Sequence, residues 1–435
     1  MRAMHKMSIQ GDTQHMHDAR PNRLRPHLLL RLLLALLITG AWGSVNTASA
    51  DTLSREEREE LDLSQYRVND TDAGYFDVSA RMELLSNTDN AVLLQQIDQL
   101  LSQAPSCRQL LSYKPITTRG RIPGYYPNPE EWELTTEPLF LFEDNVSMLA
   151  GAFVASGESY YSECLVSFLA HWAEAKALTT FQYDPNDPQS WFASESMLFA
   201  AAMAYATVRP FIVGMEEERE EVESWLQGLA LQHSAIPGQP EESCCNNHFY
   251  RRALYASMIG ILTENDELFR FGVSAIYSAL HDMTEAGALP HEVSRGRRAI
   301  HYQNYALLYL VTNMQVIARQ GYDIFSLEVE GSTIHEAIDY FFAILDDPAV
   351  LEDYAPLEQY TGFTKDPQYF TWLEVYQTHF EHPQAASFVQ RVRPLYNRSA
   401  GGYMTLYFMP PDAQDQLFMD ERRRRTEAFQ GLDMP

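Results

Sequence analysis

The sequence predicts an all-α protein, an (α/α) toroid of stacked helical hairpins, and three observations carry that prediction. Apolar residues recur every three or four positions through successive segments at 146–154, 160–175, 194–208, 216–231, 250–262, 267–283, 299–320, 334–344 and 368–380. Pro, Gly, Asn and Asp breakers divide them, as at Asp184-Pro185, Pro237-Gly238, Gly287 to Pro290 and Asp347-Pro348. Strand-like patterning is missing except at 403–408. Many of the helical segments are apolar over more than one face. A slender bundle would leave the second face in water, whereas hairpins stacked around a centre bury both.

In chain order, residues 1–50 read as a signal segment. Arg20, Arg23 and Arg25 lead into an apolar run at 28–38 broken only by Arg31, and Ala48-Ser49-Ala50 supplies the small residues that suit cleavage before Asp51. The run is short for a bilayer crossing, and the alternative is an uncleaved anchor. The mature protein is therefore expected in the periplasm, with no membrane contact after cleavage. Residues 51–95 are polar and acidic and read as a flexible lead-in, followed by the toroid domain at 96–409. Within that domain, 113–132 is rich in Pro, Gly, Tyr and Arg without a period, the composition of a lid or binding loop. Residues 410–435, with a basic run at 422–425, read as a disordered tail.

Composition narrows the function. With 46% hydrophobic and 21% charged residues, the 435-residue chain can bury a large core. Its formal charge is −27; without residues 1–50, which hold six Lys/Arg and two Asp/Glu, 26 basic face 57 acidic residues and the charge is −31. Such a surface excludes general nucleic-acid binding. It also repels an acidic polymer at long range, so a polyanionic substrate would need a local basic cleft. Candidate cations gather late in the chain: Arg251, Arg252, Arg295, Arg297, Arg298, Arg391, Arg393 and Arg398. The plain alternative is that most of them are solvated on helix faces.

Four cysteines in an exported chain point to disulfides rather than metal ligands, and no CxxC pair is present. Adjacent Cys244 and Cys245 suggest a vicinal bridge, which leaves Cys107 and Cys164 to close a long loop. Free or differently paired thiols remain the alternative. No metal site is expected.

The stretch richest in chemistry is Cys244-Cys245-Asn246-Asn247-His248-Phe249-Tyr250, followed by Leu289-Pro290-His291-Glu292-Val293-Ser294-Arg295 and the segment through Tyr302 to Tyr305. Paired Asn and a His just before an apolar helix place amide and imidazole groups at a helix N-terminus, which favours an anion. Arg295 precedes Tyr302 by seven residues, so the two share a helix face or, if Gly296 breaks the helix, converge at a loop–helix junction. Cleaving a uronate polymer by elimination needs this kind of set. Removing the C5 proton builds charge on the adjoining carboxylate, which Asn247, His248 and Arg295 can neutralise. A base and an acid are also required, and a tyrosine beside an arginine can exchange a proton in both directions.

These motifs resemble those of the polysaccharide lyase family 5 alginate lyases. Asn246-Asn247-His248 matches the family's Asn-Asn-His, Pro290-His291-Glu292-Val293 its Pro-Asn-Glu-Leu, and Arg298-Ala299-Ile300-His301-Tyr302-Gln303-Asn304-Tyr305 the motif bearing its catalytic tyrosine. Trp372-Leu373-Glu374-Val375-Tyr376 resembles a late Trp-Leu-Glu-Pro-Tyr element, and adjacent cysteines before Asn-Asn-His occur in the family as a vicinal disulfide. The resemblance implies an incomplete (α/α) toroid with a tunnel-like cleft, cofactor-free cleavage and a preference for mannuronate. It also implies that Asn247, His248 and Arg295 neutralise the carboxylate while Tyr302 is general acid and base, with His248 an alternative base.

Departures fall on the expected sugar contacts. Gln303 replaces a family His, His301 replaces an Ala, and Tyr125-Tyr126 stands where a basic residue and Tyr are expected. Tyr125, Tyr126, Arg298, His301, Gln303 and Tyr305 are the substrate-binding candidates. The expected partner is an acidic polysaccharide, met by a monomer. A glucuronate lyase and a non-catalytic polysaccharide-binding protein are the competing readings. A glycoside hydrolase would need two positioned carboxylates; Glu292 and Glu374 are available, but no pairing between them can be inferred.

Overall fold

The computed structural model describes residues 52–118, 120–125, 127–236 and 245–413. The expected signal segment and nearly all of the expected tail lie outside this range, as do Tyr126 and Cys244. The helices are α1 Arg55–Glu59, α2 Val78–Ser86, α3 Ala91–Gln103, α4 Cys107–Leu110, α5 Pro129–Ser156, α6 Ser159–Glu174, α7 Pro188–Val208 and α8 Glu216–Ser234. They continue as α9 Asn247–Leu262, α10 Asp266–Asp282, α11 Pro290–Val293, α12 Ala299–Ala318, α13 Ile334–Asp346, α14 Trp372–Tyr376, α15 Pro383–Val392 and α16 Met404–Phe408. Among the described residues no strand forms, only isolated bridges at Val329–Ser332 and Asn397–Gly402. The all-α toroid expected from periodicity is the observed architecture.

Two layers explain why some helices are apolar all round and others striped. Helices α5, α7, α9 and α12 pack side by side as the inner layer, and α6, α8 and α10 back them from outside. Accordingly α7 is buried throughout 193–208 and α9 throughout 249–262. Outer α8 opens with Glu216, Glu217 and Glu218 and buries a single stripe of Val222, Trp225, Leu226, Leu229, Ala230 and His233. The α9–α10 hairpin is close enough to demand glycine. A Cβ at Gly272 would come within 1.7 Å of Ser257 Oγ, and one at Gly260 within 2.6 Å of the Phe269 nitrogen.

The structure corrects the sequence reading at several places. Residues 51–95 were expected to be a flexible lead-in, yet from Thr52 onward they fold against the helices. Tyr75 is 1% exposed and donates to the Gly401 carbonyl at 2.6 Å, Phe76 stacks on Tyr407 at 4.5 Å, and Arg81 caps the carbonyls of Leu406 and Met409. The polar composition misled because the acidic groups face water while a few aromatics and leucines anchor the strap. The strand-like run 403–408 is helix α16, buried on every side and so without a helical period. Helix α5 begins at Pro129, far earlier than expected, and continues through Pro138. In 368–380 only α14 is α-helical, after a 3₁₀ turn at Pro367–Phe370.

Cys107 and Cys164 form the expected disulfide, with Cα atoms 5.4 Å apart, and tie α4 to α6. Cys245 is also disulfide-bonded and sits at φ +67°; its expected partner, Cys244, is outside the described residues.

Candidate active site

The first turn of α9 carries two of the expected groups. Asn246 is its N-cap, and its side-chain oxygen accepts the His248 backbone N–H at 3.0 Å. That cap leaves Asn247 buried, with its backbone N–H and its Nδ2 both donating to Glu292, the amide at 3.0 and 3.2 Å from the two carboxylate oxygens. Glu292 itself is completely buried. Burial pushes its carboxyl up to about 7, opposed by the Asn247 hydrogen bonds and by the charge of Arg295. One Asn247 amide hydrogen is held by this carboxylate, so the amide plane is fixed.

His248 lies flat against Phe192 of α7, ring centroids 3.7 Å apart and planes 19° from parallel. Burial, and then the positive charge of Arg251, hold its imidazole well below the usual histidine range. It is therefore neutral near pH 7. Its Nδ1 has no hydrogen-bond partner among the described residues.

Arg295 and Tyr302 meet at a loop–helix junction rather than along one helix. Gly296, at φ +56°, breaks the chain between α11 and α12 and opens a short 3₁₀ turn. The turn lays the Arg295 guanidinium over the Tyr302 ring, 4.2 Å from its centroid. Arg295 is exposed and Tyr302 half-buried in the first turn of α12. Arg295 also bears electrostatically on both His248 and Glu292. Asn247, His248, Arg295 and Tyr302 are thus linked through Glu292 and Arg295, and the set reaches solvent through Arg295.

Behind this row is a buried ionic hub that the sequence reading missed. Glu195 of α7 accepts from Arg251 at 2.8 Å and from the Trp191 indole at 3.0 Å, and it lies 3.6 Å from Arg252 and 3.5 Å from His233. Burial alone would raise its pKa, but the neighbouring His233 and the two arginines hold it well below the carboxylate range. Arg251 also donates to the Phe192 carbonyl at 2.9 Å, so the hub fixes the ring against which His248 stacks. Glu195 as the lone charged residue of α7 was the available signal. Nearby Glu143, on α5, is fully buried with neither oxygen hydrogen-bonded among the described residues; Ser196 lies close but outside bonding geometry. Burial pushes Glu143 up to about 8, against the charge of Arg398.

The expected sugar contacts divide. His301 is surrounded by rings, with Tyr369 at 4.7 Å, Phe363 at 4.8 Å, Tyr302 at 5.6 Å and Tyr305 at 5.9 Å. Burial, and then Arg298, lower its imidazole to about 4. Tyr305 accepts from Tyr309 at 2.8 Å, and Arg298 lies over Tyr360 at 5.0 Å. These three stay beside Tyr302. Gln303 does not: it is fully buried, accepts from the Leu289 N–H and donates to the Gly287 carbonyl, each at 3.0 Å. One position after Tyr302 on a helix, it turns about 100° away and braces the turn before α11. Tyr125 is exposed, with its ring edge-on to Trp132 at 5.0 Å. Glu292 and Glu374 occupy separate buried pairs, the first with Asn247 and the second bidentate to Arg393 at 2.8 Å, so they are not the facing acids of a hydrolase. Among the described residues no group of three metal-binding side chains occurs.

Comparison with known proteins places this arrangement. Residues 91–351 match the alginate lyase family. A polysaccharide lyase of Stenotrophomonas maltophilia is 28% identical over 62% of this chain and 79% of its own length. An alginate lyase of Pseudomonas fluorescens is 24% identical over 63% and 74%. Among solved structures, alginate lyase A1-III from Sphingomonas species A1 superposes with a TM-score of 0.72 at 30% identity, covering 81% of this chain and 99% of that one. A variant of A1-III complexed with tetrasaccharide gives the same TM-score at 31% identity, covering 81% of this chain and 100% of that one.

Proposed function

The chain belongs to the alginate lyase family, and from that premise we propose that this polysaccharide lyase cleaves mannuronate-rich alginate by β-elimination, with Asn247, His248, Arg295 and Tyr302 as its reacting set. The carrying observation is the stacking of the Arg295 guanidinium on Tyr302 beside the rigidly held Asn247–Glu292 pair.

The reaction follows from the groups present. The uronate carboxylate lies against Arg295, the free Asn247 amide hydrogen and the His248 ring. Their donors neutralise the charge that develops as the C5 proton leaves. The C5–H electron pair becomes the C4–C5 double bond while the C4–O4 bond breaks, and the departing O4 takes a proton. Tyr302 serves both transfers: its oxygen removes the C5 proton and its hydroxyl protonates O4. A neutral His248 adds a hydrogen bond without competing with Arg295 for the carboxylate. Because His248 stacks on Phe192, whose carbonyl the hub's Arg251 holds, the site is organised before substrate arrives.

The same reading places the enzyme in the periplasm. The basic-then-apolar leader at 1–50 and the Cys107–Cys164 disulfide support an exported, oxidised protein. The test is a lyase assay of the mature protein on polymannuronate, polyguluronate and polyglucuronate, read as ultraviolet absorbance of new unsaturated ends. Fastest cleavage of polymannuronate is expected. A clear preference for polyglucuronate would move the substrate, and binding without new absorbance on any polymer would remove the enzyme reading.

A further inference from the structure

We propose that a cavity on the outer side of α9 is a second, non-catalytic site that binds an acidic oligosaccharide. The cavity measures about 830 Å³ and lies between the α1 segment and the ends of α8, α9 and α10. That is the size of a site that takes a small ligand almost whole. His248 and Arg251 of α9 face the catalytic side, whereas Phe249 and Arg252, each one residue on, line this cavity. A step of about 100° per residue puts the two sites on neighbouring faces of one helix.

The lining is basic in a strongly acidic protein. Five arginines among the described residues reach it: Arg55 and Arg58 from α1, Arg67 from the following loop, Arg252 from α9 and Arg270 from α10. Three carboxylates share the wall, Glu59, Asp62 and Glu267. Glu59 is taken by Arg55 at 2.7 Å and Asp62 by the Ser64 hydroxyl at 2.7 Å. The exposed Arg67 guanidinium makes no hydrogen bond or ion pair among the described residues. Arg252 also reaches Glu195 at 3.6 Å and Arg270 reaches Asp266 at 3.8 Å, so among the described residues Arg67 is left without a carboxylate partner, and its free charge beside the cavity points to an anionic ligand.

The rest of the lining sets its class. Leu231, Ile236, Phe249 and Phe271 form an apolar floor between the arginines, and Arg58 lies over Phe249 at 4.4 Å. A sugar acid presents both an apolar CH face for such a floor and a carboxylate that a guanidinium fork grips at two points. The arginines come from separate elements, α1, the following loop, α9 and α10, an origin that suits charges spaced along a chain better than a single small anion. The ligand class rests on the lyase reading; the anion preference rests on the cavity alone.

The test is calorimetric titration of a mannuronate tetrasaccharide into full-length mature Tyr302→Phe protein, which does not turn it over. Two binding events per chain are expected, falling to one when Arg67→Ala and Arg270→Ala are added. Arg67→Ala alone, at an exposed side chain that bonds nothing, should weaken the second event by about tenfold without disturbing the fold. With Tyr302 intact, Arg67→Ala should leave turnover within about twofold. One event in every protein, two events undiminished by the substitutions, or equal displacement by inorganic sulfate at the same concentration would each overturn the proposal. Two events in a protein that cleaves no uronate polymer would instead sink the lyase reading and leave this site standing.

Discussion

Replacing Tyr302 by Phe removes one oxygen and little else. The ring remains beneath the Arg295 guanidinium, 4.2 Å from its centroid, so the cation–π contact survives. The residue is half-buried in the first turn of α12, where Phe is sterically equivalent, and the change in folding stability should stay within about 1 kcal/mol. Catalysis loses far more. A positioned general acid or base contributes roughly 10²- to 10⁴-fold, and each tenfold corresponds to about 1.4 kcal/mol of barrier. Since one phenol is assigned both proton transfers, the loss should lie at the upper end, about 5 kcal/mol. No other group shown beside the ring replaces it, because His301 is held near pKa 4 and His248 is neutral and committed to the carboxylate. The assay is the rate of unsaturated-end formation from polymannuronate, alongside a thermal melt. Turnover within tenfold of the native enzyme, in a variant that melts normally, would refute the assignment of both transfers to Tyr302.

Three further changes probe the framework. Glu195→Ala leaves Arg251, Arg252 and His233 buried without their shared counter-ion, which should cost about 3–5 kcal/mol and lower the melting temperature well below that of surface variants; an unchanged melt would contradict the hub. Glu143 has a folded pKa raised to about 8, so the stability it contributes is fully present below its unfolded value near 4.5 and is lost as pH rises through 8. Glu143→Gln should therefore gain on the native protein between pH 5 and pH 9, by a few kcal/mol, as measured by paired thermal melts; a pH-independent difference would show that the carboxyl is not buried as described. Cys107→Ser opens a loop spanning 57 residues and should destabilise by about 4 kcal/mol in denaturant titrations.

Much of this architecture was legible in the sequence because helical periodicity is a local property. The segments 160–175, 216–231 and 267–283 carry their own apolar stripes, the last with Asn265 as its cap, and the observed α6, α8 and α10 follow them within a few residues. Asn246, Asn247 and His248 were readable for the same reason, since a helix N-cap lies next to the turn it caps. Where position depends on distant partners, the reading failed. Glu195 looks like a misplaced charge until α8 and α9 bring His233, Arg251 and Arg252 to it. Gln303 looked like a substrate contact because it stands at the place of a family His just after Tyr302, yet the helix turn that exposes one buries the other. The run 403–408 is apolar except at Thr405 because α16 is enclosed on all sides, and an enclosed helix and an enclosed strand share one pattern.

The acidic surface and the acidic polymer proposed as substrate are reconciled by where cations are left unpaired. Several arginines of the body are matched: buried Arg251 with Glu195, and partly buried Arg393 and Arg209 with Glu374 and Glu223. Such pairs hold helices together and offer little charge to a ligand. Arg295 differs, for it forms no ion pair among the described residues and is held in place by the Tyr302 ring, which is neutral when protonated. Repulsion from the rest of the surface is largely screened beyond about 8 Å at physiological salt. Attraction between a guanidinium and a carboxylate in contact is about 4 kcal/mol near a protein surface. The contact therefore outweighs the approach, and it does so at the carboxylate beside the proton that must leave.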